Sequence, residues 1–197
     1  MKSNLYHIVE IAICFAISSL TPAASQSWPN FRGPLGTGEA PEANPPTEWS
    51  ETENIRWKAE LPGVGHSTPV VWGDRIFITA TIPDGDPLTA QIWNGRFWAL
   101  GLFCLDFEGD VLWEKVLGDM FTKHGHGEGS SPALYGYTLV VNWDHESLSF
   151  IAAFDKRTGK SKWRIPRKEP TSWASPIVAE VDDKPQLIVS GTNRIRG

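Results

Sequence analysis

Cysteine is nearly absent, with only Cys14 and Cys104 in 197 residues. Cys14 falls in the N-terminal apolar stretch, so Cys104 would stand alone in the mature chain and no internal disulfide can hold the fold. Ile13 ahead of Cys14, with apolar residues continuing beyond it, does not suit a lipoprotein acceptor. A lone thiol reads as a small buried residue on a strand. Basic excess is missing too. The net charge of −5 excludes a general nucleic-acid or anionic-membrane binder, since both require a basic field. No apolar run suits a membrane span, because the one over residues 8–20 is short and contains Glu10. A phosphate loop is lacking: Gly33-Pro34-Leu35-Gly36-Thr37-Gly38 has no Lys-Ser/Thr and opens no helix. Nor does any Ser, His and Asp set have the context of an elbow or oxyanion hole.

What is abundant is tryptophan, at ten residues, beside 18 glycines and 15 prolines. Large aromatics among many turn-formers predict short strands and frequent reversals, so an all-β fold. Residues 1–25 read as a signal peptide: Lys2, an apolar stretch, then Thr21-Pro22-Ala23-Ala24-Ser25, with cleavage near Ser25/Gln26. That predicts a periplasmic or secreted protein without a transmembrane span in the mature chain. Residues 26–53 form an expected extended arm, rich in Pro and Gly, pinned by Trp28 and Phe31. Ile55, Trp57, Ala59 and Leu61 then alternate with Arg56, Lys58 and Glu60, which predicts a half-buried strand over 54–61.

Two phrases repeat after that. His66-Ser67-Thr68-Pro69 recurs as Ser130-Ser131-Pro132 and as Ala174-Ser175-Pro176, each followed by a strand, a polar turn and the runs Ile76-Phe77-Ile78, Leu139-Val140-Val141 and Leu187-Ile188-Val189. A turn closed by Gly109 or Gly159 precedes Trp113 or Trp163 by four residues, and Trp57, Trp113 and Trp163 lie 56 and 50 residues apart. Val111 with Trp113, and Trp163 with Ile165, are expected to face inward. Four strands repeated at this spacing predict a β-propeller of four-stranded antiparallel blades. A β-sandwich is the plainer alternative, but sandwiches do not normally repeat their own wording. The blades are placed at 68–116, with an insertion near 81–96, and at 131–165, with a partial blade at 175–197. About two and a half blades are expected, with 54–61 as an orphan closing strand.

Ala153-Phe154-Asp155-Lys156-Arg157-Thr158-Gly159-Lys160-Ser161-Lys162-Trp163 resembles the tryptophan-docking motif of pyrroloquinoline-quinone (PQQ)-type repeats, in which Ala, Asp, Thr, Gly and Trp hold those relative places. Cys104 to Trp113, with Asp106 and Gly109, is a shortened copy. The resemblance implies that each docking Trp packs between neighbouring blades and hydrogen-bonds through its indole N–H, while Asp155 and Thr158 shape the turn. The family contains quinoprotein dehydrogenases, which bind PQQ with a divalent cation such as Ca²⁺ on the propeller axis, and BamB-like assembly factors, which bind proteins without a cofactor. A shared fold does not choose between them. The chain lacks the adjacent Cys-Cys pair of several of the enzymes, so the expected function is a non-catalytic cell-envelope scaffold for a protein partner or ligand. No cofactor is required by these residues. The alternative is a PQQ-dependent oxidoreductase with its active site in blades beyond this sequence.

Candidate sites follow from position. Aligning the three prolines brings His66, Gly129 and Trp173 to one level, with Glu128 adjacent, so His66, Glu128 and Trp173 are candidates for an axial pocket. Blade-to-blade packing is the alternative. His124, His126 and Glu128 could form a metal set, or a polar turn between blades. The basic stretch from Lys156 to Lys168 reads as charge guarding an outer strand against edge pairing.

Overall fold

The computed structural model describes residues 27–197 apart from 42, 62, 64, 84–97 and 124–126. The expected signal segment and most of the 81–96 insertion lie outside the described residues. The fold is all-β and antiparallel. The first sheet runs β1 (Ser27–Trp28), β2 (Val70–Trp72), β3 (Arg75–Pro83), β4 (Trp98–Leu105) and β5 (Val111–Met120) in spatial order. The second runs β6 (Ala133–Tyr135), β7 (Thr138–Trp143), β8 (Phe150–Asp155) and β9 (Ser161–Pro166). The third holds β10 (Ile177–Val181), β11 (Lys184–Ser190) and β12 (Ile195–Arg196). No sheet closes on itself. No helix among the described residues is long and apolar enough to cross a membrane.

Period-two alternation decides which face meets which neighbour. Phe77, Leu102 and Cys104 of the first sheet pack on Leu139, Val141, Trp143, Phe150, Ala152 and Phe154 of the second. The intervening Val140, Ile151 and Ala153 point the other way and meet Val189 and Leu187 of the third. On the far face of the first sheet, Ala80, Phe103 and Leu105 are covered by Ala59 and Leu61. The second sheet is therefore buried on both faces, which is why the middle of β7 and β8 is apolar without alternation.

Each repeated proline stands just ahead of the first strand of its unit, where its missing N–H costs no ladder bond. The residue before it links the sheets. The Thr68 N–H donates to Ser131 Oγ at 2.8 Å, and one unit later the Ser131 N–H donates to Ser175 Oγ at 2.9 Å. A second link keeps the same step: Thr79 Oγ1 donates to the Ser130 carbonyl at 2.9 Å, and Asn142 Nδ2 to the Ala174 carbonyl at 3.2 Å.

The tryptophans supply a third. Gly109 and Gly159 have φ of +92° and +67°, and a Cβ built on either would lie under 3 Å from an indole carbon, of Trp57 and Trp113 respectively. Each ring thus lies flat on a turn that only glycine can present. The turns are shaped as expected: Asp106 Oδ1 accepts the N–H groups of Glu108 and Asp110, and Asp155 Oδ1 accepts those of Arg157 and Thr158 and the Thr158 hydroxyl. Behind each docking Trp sits a small residue in register, Cys104 opposite Trp113 and Ala153 opposite Trp163. Burial pushes the Cys104 thiol up to about 11, which keeps it inert.

Several details differ from the alternation read in the sequence. A bulge interrupts both outer strands at matching places, between the Cys104 and Leu105 pairings and between the Ala153 and Phe154 pairings. It re-aims the following Trp. Val111 is therefore on the opposite face from Trp113 and is 46% exposed instead of inward. Trp163 and Ile165 do share a face, yet both are exposed, because the third sheet packs on β7 and β8 and does not extend over β9. Residues 57–61 alternate in burial, but Ile55 is exposed and the 54–61 segment joins no sheet ladder, so the expected strand is not formed. Phe31 is half-exposed; the arm is held by the β1–β2 pairing and by a 2.7 Å bond from the Leu134 N–H to the Pro29 carbonyl. Within the basic stretch, Lys162 and Arg164 do stand exposed on edge strand β9, whereas Lys156 turns inward under the Trp72 ring at 3.8 Å.

Trp57 donates its indole N–H to the Phe107 carbonyl, two residues before Gly109. Trp113 does not make the matching bond. The corresponding carbonyl, of Arg157, accepts instead from Arg75 Nη1 at 2.9 Å, and the Trp113 N–H has no acceptor among the described residues. A charged donor outcompetes a neutral one for the same carbonyl.

Replacing Gly159 by Ala should cost about 2–4 kcal/mol, from left-handed strain plus the collision with the indole. Gly136→Ala, at φ +55° with open space around it, should cost only about 1–2 kcal/mol from strain. Urea denaturation of the two variants measures the difference, which isolates the ring contact.

Candidate functional site

Polar burial is concentrated at one end of the sheets, the end at which the proline phrases lie. Glu128 is 4% exposed. Its backbone N–H donates to Thr81 Oγ1 at 2.9 Å, and its side-chain carboxylate accepts the Ser130 N–H. Burial pushes the Glu128 carboxyl up to about 8; the Ser130 and Gly129 N–H groups oppose that rise and the Asp144 charge adds to it. At neutral pH the group is therefore largely a neutral acid.

Asp144 and Arg167 form a buried two-pronged ion pair, Nε to Oδ1 at 2.8 Å and Nη2 to Oδ2 at 2.9 Å. Asn142 donates to the same carboxylate at 3.3 Å, and its own Oδ1 finds no donor. Next along the chain, the fully buried carboxylate of Glu169 accepts from Arg194 at 3.1 Å and Arg196 at 3.2 Å. That contact ties the third sheet to the segment leaving β9. Ser149 Oγ accepts the His145 N–H at 3.0 Å and lies 2.6 Å from the Glu169 carbonyl, to which it can donate.

The expected pocket residues meet here, largely through backbone. The His66 N–H donates to the Glu128 carbonyl at 3.2 Å, while the His66 residue itself is exposed. Trp173 Nε1 donates to the Gly127 carbonyl at 3.0 Å, and its ring lies against Gly129. The three therefore sit around the 127–129 segment, which bridges the first two sheets. His124 and His126 lie outside the described residues. Among the described residues there is no group of three or more His, Cys, Asp or Glu side chains suited to a metal ion.

No protein-family model and no curated protein matches the sequence.

Sequence reasoning named Glu128 but missed Asn142, Asp144, Arg167 and Glu169. One signal was present: a polar residue closes each apolar run, as Thr79, Asn142 and Ser190. The cation partners of Asp144 and Glu169 had no such signal, because they come from 23 to 27 residues away. PQQ carries several carboxylates and needs cations to meet them. Arg167 is consumed by Asp144, Arg194 and Arg196 bind Glu169, and Glu128 would present an acid. None of these three guanidinium groups is free to meet that cofactor.

Two variants follow. Between pH 4.5 and 8 the folded protein keeps a proton on Glu128 that the unfolded chain has lost, so this stabilisation is complete below 4.5 and drains away as pH rises through 8. Melting curves from pH 5 to 9 should fall more steeply for the natural protein than for Glu128→Gln, by about 5 °C or more. Parallel curves would refute the assignment. Asp144→Ala strands the Arg167 guanidinium and should cost about 3–5 kcal/mol in urea denaturation.

Proposed function

We propose that this chain forms successive blades of a β-propeller of PQQ-like repeats, exported as a non-catalytic scaffold that binds a protein partner or a cell-envelope ligand. The observation that supports it is recurrence. The contact from Thr68 to Ser131 returns one unit later as Ser131 to Ser175, and Trp57 over Gly109 returns as Trp113 over Gly159. Contacts of different chemistry that advance by the same step generate a stacked array of units, and four-stranded units so related match propeller blades. In this reading the Trp57 segment does for the first sheet what β5 does for the second: it supplies the outer strand of a neighbouring blade. The signal peptide and a periplasmic or secreted location belong to the same proposal and rest on residues 1–25 alone.

Binding is favoured over catalysis by the chemistry at the proline end. The acids there are neutralised by burial or by paired guanidinium groups, and the one described thiol is held far from its reactive form. Exposed Trp173 at that end, and Tyr135 and Tyr137 at the β6–β7 turn of the opposite end, are aromatic side chains of the kind that protein interfaces favour. The acidic net charge argues against nucleic acid.

A photo-crosslinking residue in place of Trp173, introduced in the exporting cell, should give one discrete adduct. In parallel, the purified chain incubated with PQQ and Ca²⁺ should retain no quinone absorbance after gel filtration and reduce no dye with alcohols or sugars. Retained quinone with dye reduction, and no adduct, would replace this reading with the oxidoreductase one.

A further inference from the structure

The end of the sheets remote from the proline phrases gathers positive charge in a molecule that is acidic as a whole. Residues 156–162, forming the β8–β9 turn and the start of β9, contain Lys156, Arg157, Lys160 and Lys162 and no acid, whereas the chain carries a net charge of −5. Three turns meet there. Arg75 Nη1, just after the β2–β3 turn, donates to the Arg157 carbonyl at 2.9 Å. The Lys156 N–H and the Lys162 ammonium both donate to the Tyr137 carbonyl of the β6–β7 turn, at 3.2 and 3.3 Å. Tyr137 is thereby ringed by cations: the Lys156 ammonium and the Arg157 guanidinium lie 5.1 and 4.9 Å from its ring centre. Tyr137 is nonetheless 60% exposed, and Tyr135 on the same hairpin 43%.

No carboxylate pairs with these four cations. Lys156, Arg157, Lys160 and Lys162 make none of the ion pairs found among the described residues. Asp155 precedes them, but its Oδ1 already accepts two N–H groups and the Thr158 hydroxyl within the turn. Asp74 stands by Arg75, at 3.8 Å. Lys156 is mostly covered, with the Trp72 ring 3.8 Å from its ammonium. Burial, with the Arg157 and Arg75 charges beside it, holds the Lys156 pKa below that of an ordinary lysine. The aromatic faces offset part of that cost but bring no countercharge. Guarding an edge against strand pairing accounts for Lys162 and Arg164 on β9. It does not account for a covered ammonium, or for cations set around an exposed tyrosine.

We propose that this surface docks an extended acidic segment of a partner protein, whose carboxylates meet the exposed Arg157, Lys160 and Lys162 while an aromatic or apolar side chain lies beside Tyr135 and Tyr137. Lys156 is not a contact in this arrangement. It supplies fixed positive charge beneath the three exposed cations, and with no carboxylate on it that charge is left for the partner to answer. The exposed cations are strung along a turn and the strand that follows, which suits carboxylates carried at intervals on a chain. A single phosphate or sulfate calls for donors that converge on one point. The inference deepens the partner-binding reading above and rests on it, by giving the chemistry of the partner.

The test is fluorescence anisotropy of the full chain with a labelled heptapeptide of Asp and Glu around a central Phe, beside its Asn and Gln counterpart. The acidic peptide should bind at least about tenfold more tightly than the neutral one, and less tightly as salt rises. Arg157→Gln combined with Lys160→Gln, both at exposed positions, should weaken the acidic peptide at least about tenfold while leaving the melting curve in place. Lys123→Gln combined with Lys168→Gln removes the same charge from exposed positions outside this cluster and should leave the affinity unchanged. Equal affinity for the two peptides, equal losses in the two double variants, or no binding up to about 1 mM overturns the proposal. Heparin bound more tightly than the acidic peptide, and released by the Arg157 and Lys160 substitutions, would overturn it in favour of a sulfated glycan. An intact adduct at position 173 alongside any of these failures would leave the scaffold reading standing and remove this surface alone.

Discussion

An indole ring can lie flat on a polypeptide turn only where the turn presents no Cβ, and much of this molecule is arranged around meeting that condition. Gly159 supplies the bare surface at a positive φ, in a turn whose Arg157 and Thr158 N–H groups are gathered by the Asp155 carboxylate. The ring is delivered by a bulged outer strand and backed by the small, fully buried Cys104. Glycine, aspartate, bulge and small residue are separate in sequence but serve one contact. The contact joins neighbouring sheets and advances by the same unit as the hydroxyl links at the proline end.

Most of this was legible in the sequence because it is local. The Asp-to-Gly turns, the proline phrases and the apolar runs each fit within a dozen residues, and repetition raised them above chance. The bulges were not legible. One unpaired residue before Trp113 and Trp163 leaves no compositional mark, yet it reverses the face on which Val111 falls. The lost indole bond of Trp113 was equally hidden, since it depends on Arg75 reaching a carbonyl 82 residues away.

The candidate site divides along the same line. Glu128 could be picked out because it stands beside an aligned proline phrase, but its raised titration is a product of tertiary burial, to which the Asp144 charge adds. Asp144 and Arg167 were invisible as a pair, and Arg167 had been counted with the surface charges of β9, although its side chain is only 4% exposed. A run of basic residues says nothing about which of them turn inward; the strand that they occupy, and where it ends, decides that.

The matching bulges have an implication for how such units could be exchanged. Since the twist that aims each tryptophan is introduced just ahead of it, the turn, the extra residue and the aromatic behave as one cassette whose internal phase is independent of the strands on either side. Transplanting the aromatic alone into another strand would deliver it to the wrong face, whereas moving the whole cassette would carry its orientation along. Recombination between units is thereby tolerated at the sheet edges and penalised inside the turn.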